Sequence, residues 1–188
     1  MQSNMPKNQV ILVDDYDQPI GQAEKHFAHE EGFLHRAISV VILRCNDNNE
    51  IEVLMQQRAS AKYHAPECWS NSCCSHPFPK ESIYDAAIRR IKEELGMTLP
   101  LIYLDRLTYK ARVSPTMIEN EIDHIFVGID RGGLMQPSPD EVKDIKWLKL
   151  DDFKHRMRSI RNHYSFSPWC QLVMQVVLNH RAKLASLL

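Results

Sequence analysis

At 188 residues the chain fits one domain with a sizeable core, and a division into two would be tight. The formal net charge of -1, with 25% charged residues, gives no global basic field, so neither nucleic acid nor an anionic membrane is expected as a partner. Five cysteines are an odd number in a chain too large to need disulfide stapling; with no signal peptide and no apolar run near the roughly 20 residues that span a bilayer, they point to a reducing cytoplasm.

Residues 1–9 read as a flexible tail preceding a short strand at Val10-Ile11-Leu12-Val13, after which Asp14-Asp15-Tyr16-Asp17-Gln18-Pro19 supplies turn residues. His29 and His35 are separated by a short acidic loop containing Gly32. His35 to Leu43 predicts a buried strand, and Asn46-Asp47-Asn48-Asn49 turns it into a hairpin partner at Ile51 to Gln57. Trp69 to Pro77 is too rich in Ser, Asn and Pro for ordinary core, and it carries Cys73, Cys74 and His76. Lys80 to Leu95 predicts a helix, with Ile83, Ala87, Ile91 and Leu95 on one face and Gly96 as its C-terminal cap. Two strands follow, Arg106 to Val113 and Ile122 to Ile129, then another at Ile145 to Leu148. A last helix opens at Phe166-Ser167-Pro168-Trp169, with a stripe of Leu172, Val173, Val176, Val177, His180 and Leu184. Strands outnumber helices without strict alternation, which predicts an α/β (α+β) domain: one mixed β-sheet flanked by helices, a single domain over residues 1–188.

Several residue groups could carry chemistry. Glu119 and Glu121 are two apart, so on an extended segment both carboxylates point to one side; such proximity is costly unless a cation or a shared proton relieves it. A bland reading makes them a polar strand end. Three histidines with these carboxylates would form a nitrogen/oxygen shell suited to Zn²⁺, Mn²⁺ or Mg²⁺. Adjacent thiols cannot both face one site on an extended segment. One of Cys73 and Cys74 therefore reads as a small buried hydrophobe, and the other as a metal ligand beside His76 or a proton donor. Glu93 and Glu94, beside Arg89 and Arg90, taken alone are a solvated helix face with an Arg90–Glu94 ion pair.

The spacing Ser75-x5-Glu81-x7-Arg89-Arg90-Ile91-x-Glu93-Glu94-x-Gly96-Met97 resembles the Nudix box, with Ser75 in place of its first glycine and Arg90 in place of the glutamate that helps hold hydrolytic metals. Asn71-Ser72-Cys73-Cys74-Ser75-His76-Pro77, Glu119-Asn120-Glu121 and Ser167-Pro168-Trp169, in that order, resemble the motifs of the type 1 isopentenyl-diphosphate isomerases, over about Val10 to Leu184.

The resemblance implies a Nudix-like fold and metal-dependent interconversion of isopentenyl and dimethylallyl diphosphate. It implies Cys74 as the catalytic thiol, with Cys73 at a variable position. His29, His35, His76, Glu119 and Glu121 would bind one divalent ion, with Glu121 also the second acid/base group and Tyr109 beside it. Glu94 would hold a Mg²⁺ arriving with the diphosphate; Lys25, Arg58, Lys62 and Arg90 would face the phosphates, and Trp169 the hydrocarbon. The expected partner is a small-molecule diphosphate, and the expected state a monomer or weak homodimer. Two rival readings are a Nudix pyrophosphohydrolase, against which Arg90 counts, and a non-catalytic zinc protein using Cys73, Cys74 and His76, which lacks a paired C-x2-C partner.

Overall fold

The computed structural model describes residues 8–62, 64–156 and 165–188. Its strands are β1 (Gln9–Val13), β2 (Pro19–Glu24), β3 (His35–Cys45), β4 (Ile51–Arg58), β5 (Trp69–Ser70), β6 (Cys73–Ser75), β7 (Leu101–Arg112), β8 (Ile118–Ile129) and β9 (Val142–Lys149). Its helices are α1 (Lys25–Glu31), α2 (Ile83–Leu95), α3 (Leu150–Arg156), α4 (Pro168–Asn179) and α5 (Arg181–Ala185). All nine strands join one mixed sheet. At its centre, β3 runs parallel to β8 from His35↔Glu121 to Leu43↔Ile129, while β7 is antiparallel to β8 and pairs Tyr109 with Glu121.

Side-chain alternation sorts this sheet onto two cores. Ile38, Val40, Ile42, Leu54 and Phe126 face α2 and meet Ala87, Ile91 and Leu95. Val41, Leu43, Val53, Met55, Ile125 and Val127 face the other way, toward Val173, Met174 and Val177 of α4. The central strands are covered on both sides, which is why β3 reads as an almost continuous apolar run. Burying Ile91 and Leu95 completely contributes about 1.5–3 kcal/mol each.

α2 follows its local signals. Ser82 caps it by accepting from the Asp85 amide at 3.0 Å, and Gly96 ends it in the left-handed conformation at φ 67°. A Cβ at Gly96 would lie 2.9 Å from both the Cβ and the carbonyl oxygen of Gln136. Gly96→Ala is therefore expected to lower unfolding free energy by about 1–3 kcal/mol. A urea midpoint equal to that of the parent chain would show that the turn relaxes instead.

Four expectations shift. Gln9 belongs to β1, paired with Glu24, so the tail boundary moves toward the N-terminus; residues 1–7 lie outside the described part. Pro19–Glu24 is a strand and Lys25–Glu31 a helix, so the acidic residues between His29 and His35 belong to α1, and the loop between the two histidines is confined to residues 32–34. β7 and β8 begin earlier than predicted, at Leu101 and Ile118. The last helix is two, broken at His180, and Leu172 is 41% exposed rather than part of the buried stripe.

Candidate active site

Three elements and the segment after β6 bring nitrogen and oxygen ligands together. α1 presents His29, the first residue of β3 is His35, and β8 carries Glu119 and Glu121 on one face; His76 follows β6. One ligand atom from each of these five residues lies within 4.8 Å of all the others. Gly32, at φ 64°, ends α1, and its carbonyl accepts from Asn120 Nδ2 at 2.9 Å, so the middle residue of Glu119-Asn120-Glu121 ties the helix bearing His29 to the strand bearing the carboxylates.

The donor set fits a divalent cation. His29 Nδ1 donates to the Lys25 carbonyl at 2.5 Å and His35 Nδ1 to the Phe33 carbonyl at 2.8 Å, which turns Nε2 of each ring toward the cluster. His29 Nε2 is 2.9 Å from Glu119 Oε2, and His35 Nε2 is 3.2 Å from His76 Nε2. Lone pairs at such distances repel unless a cation or additional protons lie among them. The titration directions carry the same strain. Burial, then the nearby Lys25 and His35, push His76 well below the usual imidazole range. Burial works against ionising Glu119, yet its contacts with His29 and His64 outweigh it and hold the carboxyl well below the ordinary range. Burial and then the Glu119 charge push Glu121 upward. A divalent ion relieves the paired carboxylates and takes neutral imidazoles as ligands.

β6 separates the two thiols as alternation demands. Cys73 is fully buried among Ile38, Ala87 and Ile91, whereas Cys74 faces a cavity with Ser39, Tyr109, Glu121, Asp123 and Trp169. The Cys74 thiol donates to Asn71 Oδ1 at 3.0 Å. Asn71 is oriented by its own amide, which donates to the carbonyls of Val40 and Cys73 at 3.2 and 3.1 Å. Burial, then the Asp123 carboxylate, push Cys74 up to about 12, so the sulfur carries its proton at neutral pH. Tyr109 donates to Glu121 Oε2 at 2.6 Å. Trp169 is buried at the start of α4, and its indole N–H donates to Ser70 Oγ at 2.9 Å. This inner cavity holds about 40 Å³, room for roughly one or two waters.

Lys25, Lys62, Ser75, His76 and Arg90 also line an outer groove of about 500 Å³, which Arg89 joins. Burial, then Lys62, pull Lys25 down to about 8. Arg90 is ion-paired with Glu93, Glu94 and Glu141, and Lys62 with Glu141. Glu94 is buried and also accepts from Gln56 Nε2 at 2.9 Å; it stands apart from the five-residue cluster. The retained Nudix-box residues brace the loop of His76. Arg89 grips both oxygens of Glu81, reaches the His76 carbonyl at 3.4 Å and stacks 3.9 Å over Phe78.

Residues 34–170 match the NUDIX domain family. The chain is 40% identical over 168 residues to the isopentenyl-diphosphate Delta-isomerase of Pectobacterium atrosepticum, covering 89% of this chain and 90% of that one. With isopentenyl-diphosphate Delta-isomerase 1 of Aromatoleum aromaticum it shares 41% identity over 172 residues, 92% and 93% of the two chains. The chain belongs to the type 1 isopentenyl-diphosphate Delta-isomerase family, within the Nudix superfamily. Solved structures agree on the fold: DR0079 from Deinococcus radiodurans superposes with a TM-score of 0.69 at 16% identity, over 89% of this chain and 98% of that one. A C. elegans Ap4A hydrolase gives 0.57 at 20% identity, over 79% and 98%.

For this member of the isomerase family, the structure gathers Cys74, Glu121, Tyr109, Trp169, Lys25, Arg58, Lys62 and Arg90 around one cavity, with His76 and Glu119 in its wall. The zinc reading built on Cys73, Cys74 and His76 fails, because Cys73 packs in the core and neither thiol joins the ligand group. The view of Glu94 as part of a solvated face is also corrected: it is 3% exposed, while Glu93 stays open to solvent. Arg58 does more than face the cavity: its guanidinium donates to the carbonyls of His64 and Ala65, both at 3.1 Å, and lies 5.3 Å from the Trp169 ring. Sequence reasoning missed His64, Ser39, Asp123 and Glu141, and gave Asn71 no role. Asp123 could have been found, since it continues the alternation of Glu119 and Glu121. His64 sits in a loop with no periodic signal.

Proposed function

We propose that this chain interconverts isopentenyl and dimethylallyl diphosphate, with Cys74 and Glu121 exchanging protons with the five-carbon unit. The observation carrying the reading is a thiol and a tyrosine-bound carboxyl facing one small cavity whose mouth opens onto a cationic groove. Adding a proton to the terminal methylene of the isopentenyl unit gives a tertiary cation; removing a proton from the neighbouring CH₂ leaves the internal double bond. One of Cys74 and Glu121 donates while the other accepts, and solvent exchange resets the pair. The roles reverse with the direction of reaction.

Such a cation is quenched by any water within reach. With the hydrocarbon seated in it, the tight inner cavity would leave no room for water beside the buried face of Trp169, and the indole quadrupole would stabilise the cation by about 2 kcal/mol when desolvated. Tyr109 holds Glu121 Oε2 in place, while Asn71 and Ser39 aim the Cys74 sulfur. Lys25, Lys62, Arg90 and Arg58 would bind the diphosphate, whose remote binding energy widens the small inner cavity around the hydrocarbon. His29, His35, His76, Glu119 and Glu121 would hold a divalent ion, Mn²⁺, Zn²⁺ or Mg²⁺. Glu94 would help hold a Mg²⁺ carried in with the diphosphate. The chemistry these ions supply is charge neutralisation beside Glu121 and beside the phosphates.

In heavy water, metal-loaded protein is expected to place deuterium in isopentenyl diphosphate, and a chelator is expected to stop it. No incorporation by loaded protein would overturn the reading. Release of nucleoside monophosphate from dinucleotides would instead favour the pyrophosphohydrolase.

A further inference from the structure

Glu119 is held through both of its oxygens. Oε2 faces His29 Nε2 at 2.9 Å, within the ligand group, whereas Oε1 lies 2.8 Å from Nε2 of His64, which is outside that group. His64 is 7% exposed, lines the same inner cavity, and has its ring 5.6 Å from that of Trp169. A carboxylate oxygen only accepts, so Nε2 of His64 carries the hydrogen in this contact and its lone pair is not available to an ion there.

The ring is also placed from behind. Arg58, at the end of β4, donates to the backbone carbonyls of His64 and Ala65, and its own backbone N–H and C=O pair with Cys68 and Glu67. The loop thus folds back on Arg58, with Ala65 at φ 44° and Glu67 at φ 61°. These positive φ values at residues other than glycine are held against a local cost by the surrounding hydrogen bonds.

We propose that His64 is a positioning residue of the metal centre: by donating to Glu119 Oε1 it commits Oε2 to the ion and keeps the carboxylate from rotating or rebinding elsewhere. The inference rests on the reading of the five-residue cluster as a divalent-ion site. It gives the Arg58 loop a second task, since a guanidinium lining the inner cavity also sets the orientation of a metal ligand. Outer partners of this kind tune the affinity of ligands they orient, typically by ten- to a hundredfold.

The test loads metal-stripped protein with Mn²⁺ and measures affinity by chelator competition, following free Mn²⁺ by electron paramagnetic resonance. His64→Ala is expected to weaken Mn²⁺ binding ten- to a hundredfold, and His64→Gln, which keeps an N–H donor, to recover part of the loss. Activity of His64→Ala is expected to return at saturating Mn²⁺. Wild-type affinity in a folded His64→Ala would overturn the inference while leaving the metal site intact. Equal loss in both variants would also overturn it, because the contact would then be packing rather than donation. Failure of the unaltered protein to bind Mn²⁺ would overturn the metal reading itself.

Discussion

Replacing Cys74 with alanine is expected to reduce interconversion of isopentenyl and dimethylallyl diphosphate about 10³–10⁴-fold, the upper range for a lost proton-transfer group. Metal content and thermal unfolding should stay near those of the parent chain, because Cys74 is not among the gathered ligand atoms and contributes little to the core. Cys73→Ala gives the opposite pattern. It removes sulfur from a fully buried position between β3 and α2, costs about 1–2 kcal/mol of stability, and leaves most activity in place. Steady-state turnover beside urea midpoints separates the two. Equal loss of activity in both variants would show that the thiol had been wrongly chosen, and joint loss of metal and fold in Cys74→Ala would restore the structural-zinc reading.

Glu121→Gln is expected to have an effect of similar size. The amide retains the shape and can still accept from Tyr109, but it cannot take up or release the proton, so turnover should fall at least about 10³-fold with little change in KM. Tyr109→Phe removes only the hydrogen bond to Oε2 and should cost about ten- to a hundredfold. A Glu121→Gln protein that still exchanges deuterium into substrate at the parent rate would remove Glu121 from the chemistry. If it lost its ion but regained turnover with excess Mn²⁺, Glu121 would be a ligand alone.

Much of this arrangement was legible in the chain. β3 and β8 show as buried runs because they are covered on both faces, and α2 because its apolar residues recur every fourth position between Ser82 and Gly96. The pairing of Glu119 with Glu121, and the division between Cys73 and Cys74, follow from the two-residue period of a strand. β2 was not legible: five of its six residues are exposed, so no burial pattern marks it. α1 has only seven residues, too few to establish a period, although the Glu24 cap and Gly32 mark its ends. The stripe through Leu172 to Leu184 has helical spacing, but the helix is interrupted at His180, and periodicity alone does not reveal such a break.

By itself, then, the sequence determined the sheet strands that are buried, the main helix, the family motifs and the side chains available for proton transfer, because these depend on local periodicity and residue chemistry. Only the tertiary structure decided which distant groups meet. His64 reaches Glu119 from a loop 55 positions away in the chain (119 − 64) because Arg58 folds that loop back. Glu141 likewise joins Lys62 to Arg90 from beyond β8. Contacts of this kind arise from chain closure across the sheet, for which no short stretch of residues carries a signal.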